Sequence, residues 1–501
     1  MIWIKKNWKL LVIIVLAAFL RLYNLSSNPP ALSWDEAAIG WNAKTIFHTR
    51  RDEYGTRLPL SFQSFGDYKA PVYIYLTAPI VGLFGMNEFN VRLISVLAGI
   101  ASVVVIYYLA QALIPKAKNL PLLSALLLAI TPWHVLMSRP AFEPNLALFF
   151  ILSAIYFRLK SFKHPSLIIL TALSGVLALY TYHSPKIFLP LLILGGVTIF
   201  RKKVFAKKMR QWTIAAAILA AILLFPLAKD TLSGGDSRFQ GTSIFYTKEG
   251  DSKPFNLSLA SDLIKNYFIH YSPQFLFSGN SNIPRIQMQQ LGLLLLIQAP
   301  FLIIGFIYLL KHRQKNWAKF LLWWLIIGPV PAMIGFETPH PIRAYNFLPA
   351  LTITSALGLT QLKKPLFKNL VILGFIFNIS FFLYRYFIHY PIYSAPDWQY
   401  GYKQAVLTAR EYEDKVDKVI ITSSYGQPHI FTYFYQQRQP LDVFWGAMIK
   451  YTFRDLKWDE DPHLNQVLLI GTPEEVPPDA SGIIKTINFP DGKVAFQVVK
   501  T

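Results

Sequence analysis

Eleven long apolar runs, separated by short polar connections, constrain the fold of this 501-residue chain more than any other feature. A helix that crosses the hydrocarbon core of a bilayer needs roughly 20 mostly apolar residues. Only 15% of the residues are charged, whereas a soluble domain has about 25%. We therefore predict an α-helical polytopic membrane protein with about eleven transmembrane helices, near residues 8–24, 92–114, 120–137, 145–159, 166–181, 187–200, 211–228, 289–310, 319–336, 346–361 and 368–388.

Lys and Arg occupy alternate connections between these runs, at residues 1–9, 115–119, 158–163, 201–210, 311–319 and 362–368, none of which contains Asp or Glu. Cytoplasmic connections of membrane proteins carry such an excess of basic residues. The pattern predicts a multi-pass protein of the plasma (inner) membrane, with a cytoplasmic N-terminus and an extracytoplasmic C-terminus. The net charge of +22 is explained by this orientation, and nucleic acid is not a predicted partner.

Two further apolar segments bear on the topology. The basic start and apolar run of residues 1–25 predict an uncleaved anchor that is also the first span. Residues 71–84, "PVYIYLTAPIVGLF", are apolar but contain two prolines and are short for a crossing. A crossing there would place all later basic connections outside. We therefore predict an interfacial or re-entrant helix against the outer leaflet.

The composition changes near residue 389, where strand-like runs replace the long apolar segments. Residues 417–437 predict a buried strand followed by a turn and then a helix or a second strand, and further strand-like runs lie at residues 466–479 and 493–500. We predict a membrane domain at 1–388 and a small extracytoplasmic α/β or α+β domain at 389–501. The chain has no cysteine, which excludes disulfides, thiolate metal ligands and cysteine nucleophiles.

Polar side chains with catalytic or binding chemistry gather in the connections predicted to face outward. An adjacent acidic pair, Asp35 and Glu36, follows the first span in "ALSWDEAAIGWNAKTI". The same connection also contributes Asp67 and Lys69, and later outward connections contribute Arg139, Glu143, His183, Lys186, His340 and Arg343. Because all of them belong to one side of the predicted membrane domain, they are candidates for one site.

Each candidate also has a structural interpretation. The basic residues could extend to lipid headgroups at the ends of spans, and this is the favoured reading of Arg139 and Lys186 taken singly. His183 and His340 could be satisfied interface histidines. One member of the acidic pair could cap the helix predicted from "AAIGWNAKTIF".

Four stretches carry a resemblance to a known family: "WDEAAIGWNA", "GDYKAPVYIYLTAPIVGLFGMNEFNVRLISVLAG", "SRPAFEPNLALFF" and "IRAYNFLPAL". Together they resemble the polyprenyl-phosphate-sugar-dependent glycosyltransferases with the C-type membrane fold. The branch that is most similar contains protein O-mannosyltransferases and the lipid A aminoarabinose transferase. Three positions depart from the family pattern. Ala70 stands where the family often has a proline, Ile94 replaces the proline of "VRLPS", and Glu143 stands near a position that is often Asp.

The resemblance implies transfer of a sugar from a polyprenyl-phosphate donor to an acceptor hydroxyl, with inversion at the anomeric carbon. It assigns Asp35 as the base, with Glu36 as its supporting neighbour. For the donor phosphate it implies Lys69 first, Arg343 second, and Lys186 and Arg139 third. Substrate contacts, or a divalent cation that stays unassigned, would fall to Asp67, Glu143, His183, His340 and Tyr345. The acceptor could be a glycan, a lipid or a protein, and membrane lipid is an expected partner.

Other functions fit the composition less well. A flippase or transporter of lipid-linked sugars would gather its polar groups near the middle of the membrane, whereas these groups lie at one side. A polysaccharide ligase that uses a lipid-diphosphate donor would favour a large, basic, late external loop, whereas here the acidic pair lies in the first one. A structural or adhesive protein would give no reason for clustered carboxylates at the bilayer edge.

Overall fold

The computed structural model describes residues 2–231, 241–247, 251–279, 283–444, 446 and 448–501. Its helices, in chain order, are α1 (Ile2–Leu22), α2 (Trp34–Thr49), α3 (Pro71–Phe84), α4 (Glu88–Leu113), α5 (Leu120–Ile130), α6 (Pro132–Ser138), α7 (Glu143–Ser161), α8 (Ile168–Leu179), α9 (Ser184–Ile199), α10 (Arg201–Val204), α11 (Lys207–Asp230), α12 (Leu257–Ile269), α13 (Ala299–Lys311), α14 (Asn316–Ile327), α15 (Val330–Met333), α16 (Leu348–Leu359), α17 (Pro365–Tyr384), α18 (Tyr390–Tyr393), α19 (Tyr402–Tyr412), α20 (Pro428–Gln436) and α21 (Pro440–Phe444).

Each of the eleven predicted spans overlaps at least one of these helices, and the spans at 120–137 and 319–336 overlap two each. By length and composition alone, three described helical segments could cross a membrane. They are α4 (Glu88–Leu113), α11 (Lys207–Asp230) and the segment Pro365–Tyr393, which contains α17 and α18. A fourth is added if α5 and α6, which meet at a bend of 59°, form one span. The count of eleven crossings therefore stays a prediction.

The predicted run at 289–310 is helical only in its second half, from Ala299. Its first half forms backbone bonds with other segments instead. Leu293 accepts a hydrogen bond from Trp133 N–H, and Leu294 N–H donates to the carbonyl of Leu276. A buried backbone must satisfy its polar groups, and these neighbours replace the partners that a helix would provide.

Residues 71–84 form α3, as predicted, and its placement against the outer leaflet stays a prediction. Directly before it lies an unpredicted hairpin of β1 (Phe62–Ser64) and β2 (Asp67–Lys69). The connecting residues Phe65 and Gly66 both have positive φ, of 54° and 79°. Positive φ at both positions is typical of two-residue hairpin turns. Phenylalanine rarely adopts a positive φ, so this turn was not predictable from the residue types.

The chain divides into two compact units, and both are discontinuous in sequence. The helical unit contains residues 1–23, 60–73 and 94–383, and the sheet-containing unit contains residues 24–59, 74–93 and 384–501. The predicted boundary at 388/389 stays a prediction. The first connection after α1 and much of the α3 to α4 region fold with the C-terminal residues.

The sheet of the second unit has five strands in the order β4-β3-β5-β7-β6. They are β3 (Lys418–Ile421), β4 (Tyr451–Phe453), β5 (Val467–Gly471), β6 (Ile483–Asn488) and β7 (Val494–Lys500). β3 is parallel to β4 and β5, and β7 is antiparallel to β5 and β6. The predicted C-terminal sheet domain is therefore present. β4 and β6 were not predicted, because β4 has only three residues and β6 is mostly exposed, with polar residues at three of its six positions.

Helix α2 packs against α20 of this same unit. A Cβ built at Gly40 would lie 2.5 Å from the Phe434 ring, so the helices approach closely only because Gly40 has no side chain. The Lys44 ammonium group donates to the carbonyls of Gln437 and Arg438, at 3.1 and 2.8 Å. These contacts fix the helix that carries the acidic pair onto the C-terminal segment.

Candidate active site

Asp35 and Glu36 both lie in the first turn of α2. The hydroxyl of the N-cap residue Ser33 accepts a hydrogen bond from Glu36 N–H, and the Glu36 carboxylate accepts one from Ser33 N–H. This reciprocal pair is a capping box, which satisfies backbone donors at the start of a helix. The alternative that one member of the pair caps the helix therefore holds for Glu36.

Glu36 is also half of a fully buried ion pair with Arg92. Arg92 Nε donates to Glu36 Oε1 at 2.9 Å, and Nη2 donates to Oε2 at 3.2 Å. The same guanidinium binds the backbone carbonyls of Leu25, Pro29 and Ala31. The Glu36–Arg92 pair therefore fixes the segment before α2, at residues 25–31, relative to the first turn of the helix. Asp35, one residue earlier, is only half buried.

Residues from the C-terminal part of the chain also contact the start of α2. Trp34 N–H donates to the side chain of Gln399 at 3.2 Å. The Trp34 ring lies against Gly426, where an added Cβ would come within 2.3 Å of the indole. Gly426 has a φ of 126°, so its conformation and its contact both require glycine. The residue next to Asp35 thus packs on a loop that follows β3.

The nine other predicted site residues belong to the helical unit. Three of them, His183, Lys186 and Arg343, line one cavity of about 130 Å³, here named the cationic cavity. His183 and Lys186 lie at the start of α9, and Arg343 comes from "IRAYN". Two cationic side chains beside a histidine can bind a phosphate group through charge-assisted hydrogen bonds.

Neighbouring residues of "IRAYN" anchor the segment that carries Arg343. Tyr345 is buried, and its hydroxyl donates to Asn145 Oδ1 at 3.2 Å. Asn346 Nδ2 donates to Ser184 Oγ at 3.1 Å. Ser184 itself lines the cationic cavity. Two side chains of this motif therefore fix the backbone, and a third points its charge to the cavity.

The bond from Tyr345 belongs to a buried polar network that joins three of the four motif stretches. Asn145 Nδ2 donates to the Ser95 carbonyl at 2.7 Å and to Ser95 Oγ at 3.2 Å. Ser95 N–H in turn donates to the hydroxyl of Tyr73 at 3.1 Å. Tyr345 therefore makes a structural bond inside the protein, and its predicted substrate contact stays a prediction. This pairing was not predicted, because 200 residues separate Tyr345 from Asn145.

Arg139, predicted as a third-choice phosphate ligand, is fully buried. Its guanidinium donates to the carbonyls of Leu20 and Tyr23, both at 2.8 Å. Carbonyls at the end of a helix have no partners within the helix, and arginine often binds them. The structure therefore favours a structural role for Arg139, in capping α1, and the phosphate assignment stays a prediction.

The remaining candidates are spread over three positions of the helical unit. Lys69 is buried at the end of β2, with its ammonium 5.6 Å from the Phe65 ring centroid, and Asp67 Oδ1 accepts from Tyr68 N–H. Glu143 is the first residue of α7, where a carboxylate interacts favourably with the helix dipole. His340 Nδ1 accepts from Arg343 N–H at 3.4 Å.

A possible metal site was sought among the same candidates. In the described ranges of the chain, no group of three or more His, Asp or Glu side chains is arranged to hold a metal ion. The divalent cation that the sequence left open therefore stays unassigned.

Gly335 provides a way to displace Arg343 without touching its charge. A Cβ at Gly335 would lie 1.9 Å from Arg343 Nη1. We expect Gly335→Ala to displace the guanidinium of Arg343 from its position at the cavity. A hydrogen bond to a charged group contributes about 1.5–3 kcal/mol. The variant should therefore lower kcat/KM for a lipid-phosphate donor about tenfold or more. Steady-state kinetics with the donor varied would measure this change.

Stability should change little, because the far end of a flexible side chain can move aside. Gly175→Ala on α8 is the matched control, since nothing lies within 4 Å of its added Cβ. Equal donor kinetics in the two variants would contradict the placement of Arg343 in the donor site.

The fold places the protein in a known class. Over 98% of this chain and 98% of the other, the structure is similar to ArnT from Cupriavidus metallidurans bound to undecaprenyl phosphate, with a TM-score of 0.58 and 12% identity. The apo form of the same protein gives a TM-score of 0.58 and 11% identity, over 99% of this chain. At these identities the likeness shows the fold alone, which is the predicted polytopic C-type membrane fold.

A sequence comparison matches part of the chain to a family model. Residues 68–228 match the family model described as dolichyl-phosphate-mannose-protein mannosyltransferase. A Bacillus subtilis protein named as a candidate mannosyltransferase, YkcB, is 25% identical over 242 residues, which are 47% of this chain and 32% of that protein. The chain thus matches about one third of this relative's length. The resemblance to this glycosyltransferase family, predicted from the motifs, is confirmed.

Proposed function

We propose that this protein is a membrane glycosyltransferase that moves a sugar from a polyprenyl-phosphate donor to an acceptor hydroxyl on the extracytoplasmic side. The observation that supports it best is the cationic cavity, which gathers His183, Lys186 and Arg343 within a fold similar to that of a protein solved with undecaprenyl phosphate. The family match over residues 68–228 supports the same chemistry.

In the proposed reaction, the acceptor oxygen attacks the anomeric carbon as the bond from that carbon to the donor phosphate breaks. Asp35 accepts the proton of the acceptor hydroxyl, and a correctly placed general base contributes about 10²–10⁴-fold. Lys186 and Arg343 stabilise the negative charge on the departing lipid phosphate, because cations fixed in advance favour developing charge. A single direct displacement inverts the anomeric configuration.

Glu36 acts as a positioning residue in this scheme. Both of its oxygens are engaged by Arg92, so it holds the first turn of α2, which carries Asp35. Lys69 remains a proposed phosphate ligand through its family motif. The proposed location is the inner membrane, with the donor entering from the outer leaflet.

The test is an in vitro transfer assay with a panel of polyprenyl-monophosphate and polyprenyl-diphosphate sugars. We expect transfer from a monophosphate donor, and a roughly tenfold to hundredfold loss of kcat/KM in Lys186→Gln. Lys311→Gln is the matched control, because Lys311 is exposed at the end of α13. Transfer from diphosphate donors alone would instead favour a polysaccharide ligase, and transfer from no donor would contradict the proposal.

A further inference from the structure

A second cavity of the helical unit has no role in the proposed reaction. It has a volume of about 470 Å³ and is here named the polar cavity. Its polar lining residues are Lys253, Asn256, Ser258, Asp262 and Asn266, and Phe336 adds an aromatic ring. The volume falls within the roughly 300–1,000 Å³ of small-molecule sites.

The polar cavity shares a wall with the cationic cavity. Residues 242–246 and 334–336 approach as antiparallel segments, with Ser243 bridged to Gly335 and with Ile244 N–H donating to the carbonyl of Ile334 at 2.9 Å. Ser243 and Gly335 line the cationic cavity, whereas the next residues, Ile244 and Phe336, line the polar one. A ligand in the polar cavity would therefore lie beside the proposed donor site without occupying it.

The chemistry of the lining fits a neutral polyhydroxylated ligand. Among the described lining residues the two charges, Lys253 and Asp262, are of opposite sign, so the cavity has no excess charge to attract an anion. Amide, hydroxyl and carboxylate groups together donate to and accept from sugar hydroxyls. The ring of Phe336 offers an apolar surface to the C–H face of a pyranose.

The two amides are held in place before any ligand binds. Asn256 Oδ1 accepts from Leu259 N–H at 2.9 Å as the N-cap of α12, which orients its Nδ2 donor. Asn266 Nδ2 donates to the Met333 carbonyl at 3.1 Å, which orients its Oδ1 acceptor. Groups ordered in advance lose less entropy when a ligand binds.

The helix that forms one wall of the polar cavity also has an exposed apolar stripe. Leu257, Ile264 and Phe268 of α12 are 90%, 59% and 63% exposed, and their spacing of seven and four residues puts them on one helix face. α12 follows the membrane-length helix α11 in the chain. A helix that is apolar on one face and polar on the other is suited to the interfacial layer of a bilayer, which would bring the polar cavity near the lipid headgroups.

We propose that the polar cavity binds the saccharide portion of a lipid-anchored acceptor. This inference rests on the proposed function in assigning the ligand as acceptor. It narrows the acceptor, which the sequence left open among glycan, lipid and protein, to a glycolipid. Binding of a remote part of the acceptor at this cavity would hold its reactive hydroxyl near the donor.

Binding by the full-length protein in lipid nanodiscs tests the proposal without requiring turnover. The probes are methyl β-glucoside, octyl β-glucoside below its micelle concentration and inorganic phosphate, followed by saturation-transfer NMR with empty nanodiscs subtracted. We expect the octyl glycoside to bind more tightly than the methyl glycoside. The double variant Lys253→Gln/Asp262→Asn should weaken binding of both at least tenfold, and its phosphate binding should stay unchanged.

Lys265→Gln is the matched control, because Lys265 is exposed on α12 and does not line the cavity. Its binding should stay within twofold of wild type, and the exposed positions of Lys253 and Asp262 make unfolding of the double variant unexpected. Unchanged glycoside binding in the double variant, loss of phosphate binding there, or equal affinity for the two glycosides would each overturn the proposal. Loss of transfer with intact glycoside binding would instead count against the proposed function.

Discussion

Replacement of Asp35 by asparagine is expected to lower kcat for sugar transfer by about 10²–10⁴-fold. The amide has nearly the same shape as the carboxylate but does not accept a proton from the acceptor hydroxyl. The capping box of Ser33 and Glu36 and the ion pair with Arg92 do not involve Asp35, so α2 should keep its position. Initial rates at saturating donor and acceptor would measure the loss.

Asp414→Asn is the matched control for this change. Asp414 belongs to the same compact unit and is exposed, so its neutralisation should leave kcat within about twofold. Donor binding should be preserved in Asp35→Asn, because the proposed phosphate ligands are other residues. If Asp35→Asn transfers sugar at the wild-type rate, Asp35 is not the base.

Glu36→Gln is expected to destabilise the fold by about 3–5 kcal/mol, which is the usual cost of breaking a buried ion pair by removing one partner. Glutamine can still complete a capping box, but it has one acceptor oxygen in place of two, so the variant removes the charge and one acceptor of the Arg92 pair. Arg92 would stay fully buried among carbonyls, but without a counter-charge. Thermal unfolding in detergent, followed by tryptophan fluorescence, would show the lower stability.

An exposed ion pair of the same unit provides the comparison. Lys403 lies 2.7 Å from Glu88, and about half of the Lys403 side chain is exposed. Surface pairs of this kind contribute about 0–1 kcal/mol, so Lys403→Gln should unfold almost as wild type does. A Glu36→Gln variant as stable as Lys403→Gln would show that the buried pair does not hold the start of α2.

The helices of this fold follow from the sequence because burial in a membrane demands long apolar runs. Residues 92–114 and 211–228 are such runs, and both are helical. The first half of the run at 289–310 was predicted as helix from the same signal, yet it bonds to distant backbone groups instead. Apolar composition indicates burial, and the partner that satisfies the backbone is decided by tertiary contacts.

The candidate site was predictable in its residue types and less so in its pairings. Lys186 and Arg343 were selected from separate connections, and the structure brings both to one cavity. The partner of Glu36 was missed, because Arg92 lies 56 residues away and its motif was noted only for its resemblance. The bonds of Arg139 to the end of α1 were not predicted, since sequence alone does not distinguish an arginine that caps a buried helix from one that binds an anion.

The attachment of α2 to the C-terminal segment has a consequence for protein engineering and for exchange of domains between relatives. A chimera that replaced residues 389–501 alone would remove the carbonyls that Lys44 binds and the Gly426 loop beneath Trp34. Residues 24–59, 74–93 and 384–501 should therefore be exchanged together. Recombination that exchanges all three segments together should give a folded protein, whereas a single crossover near residue 389 should not.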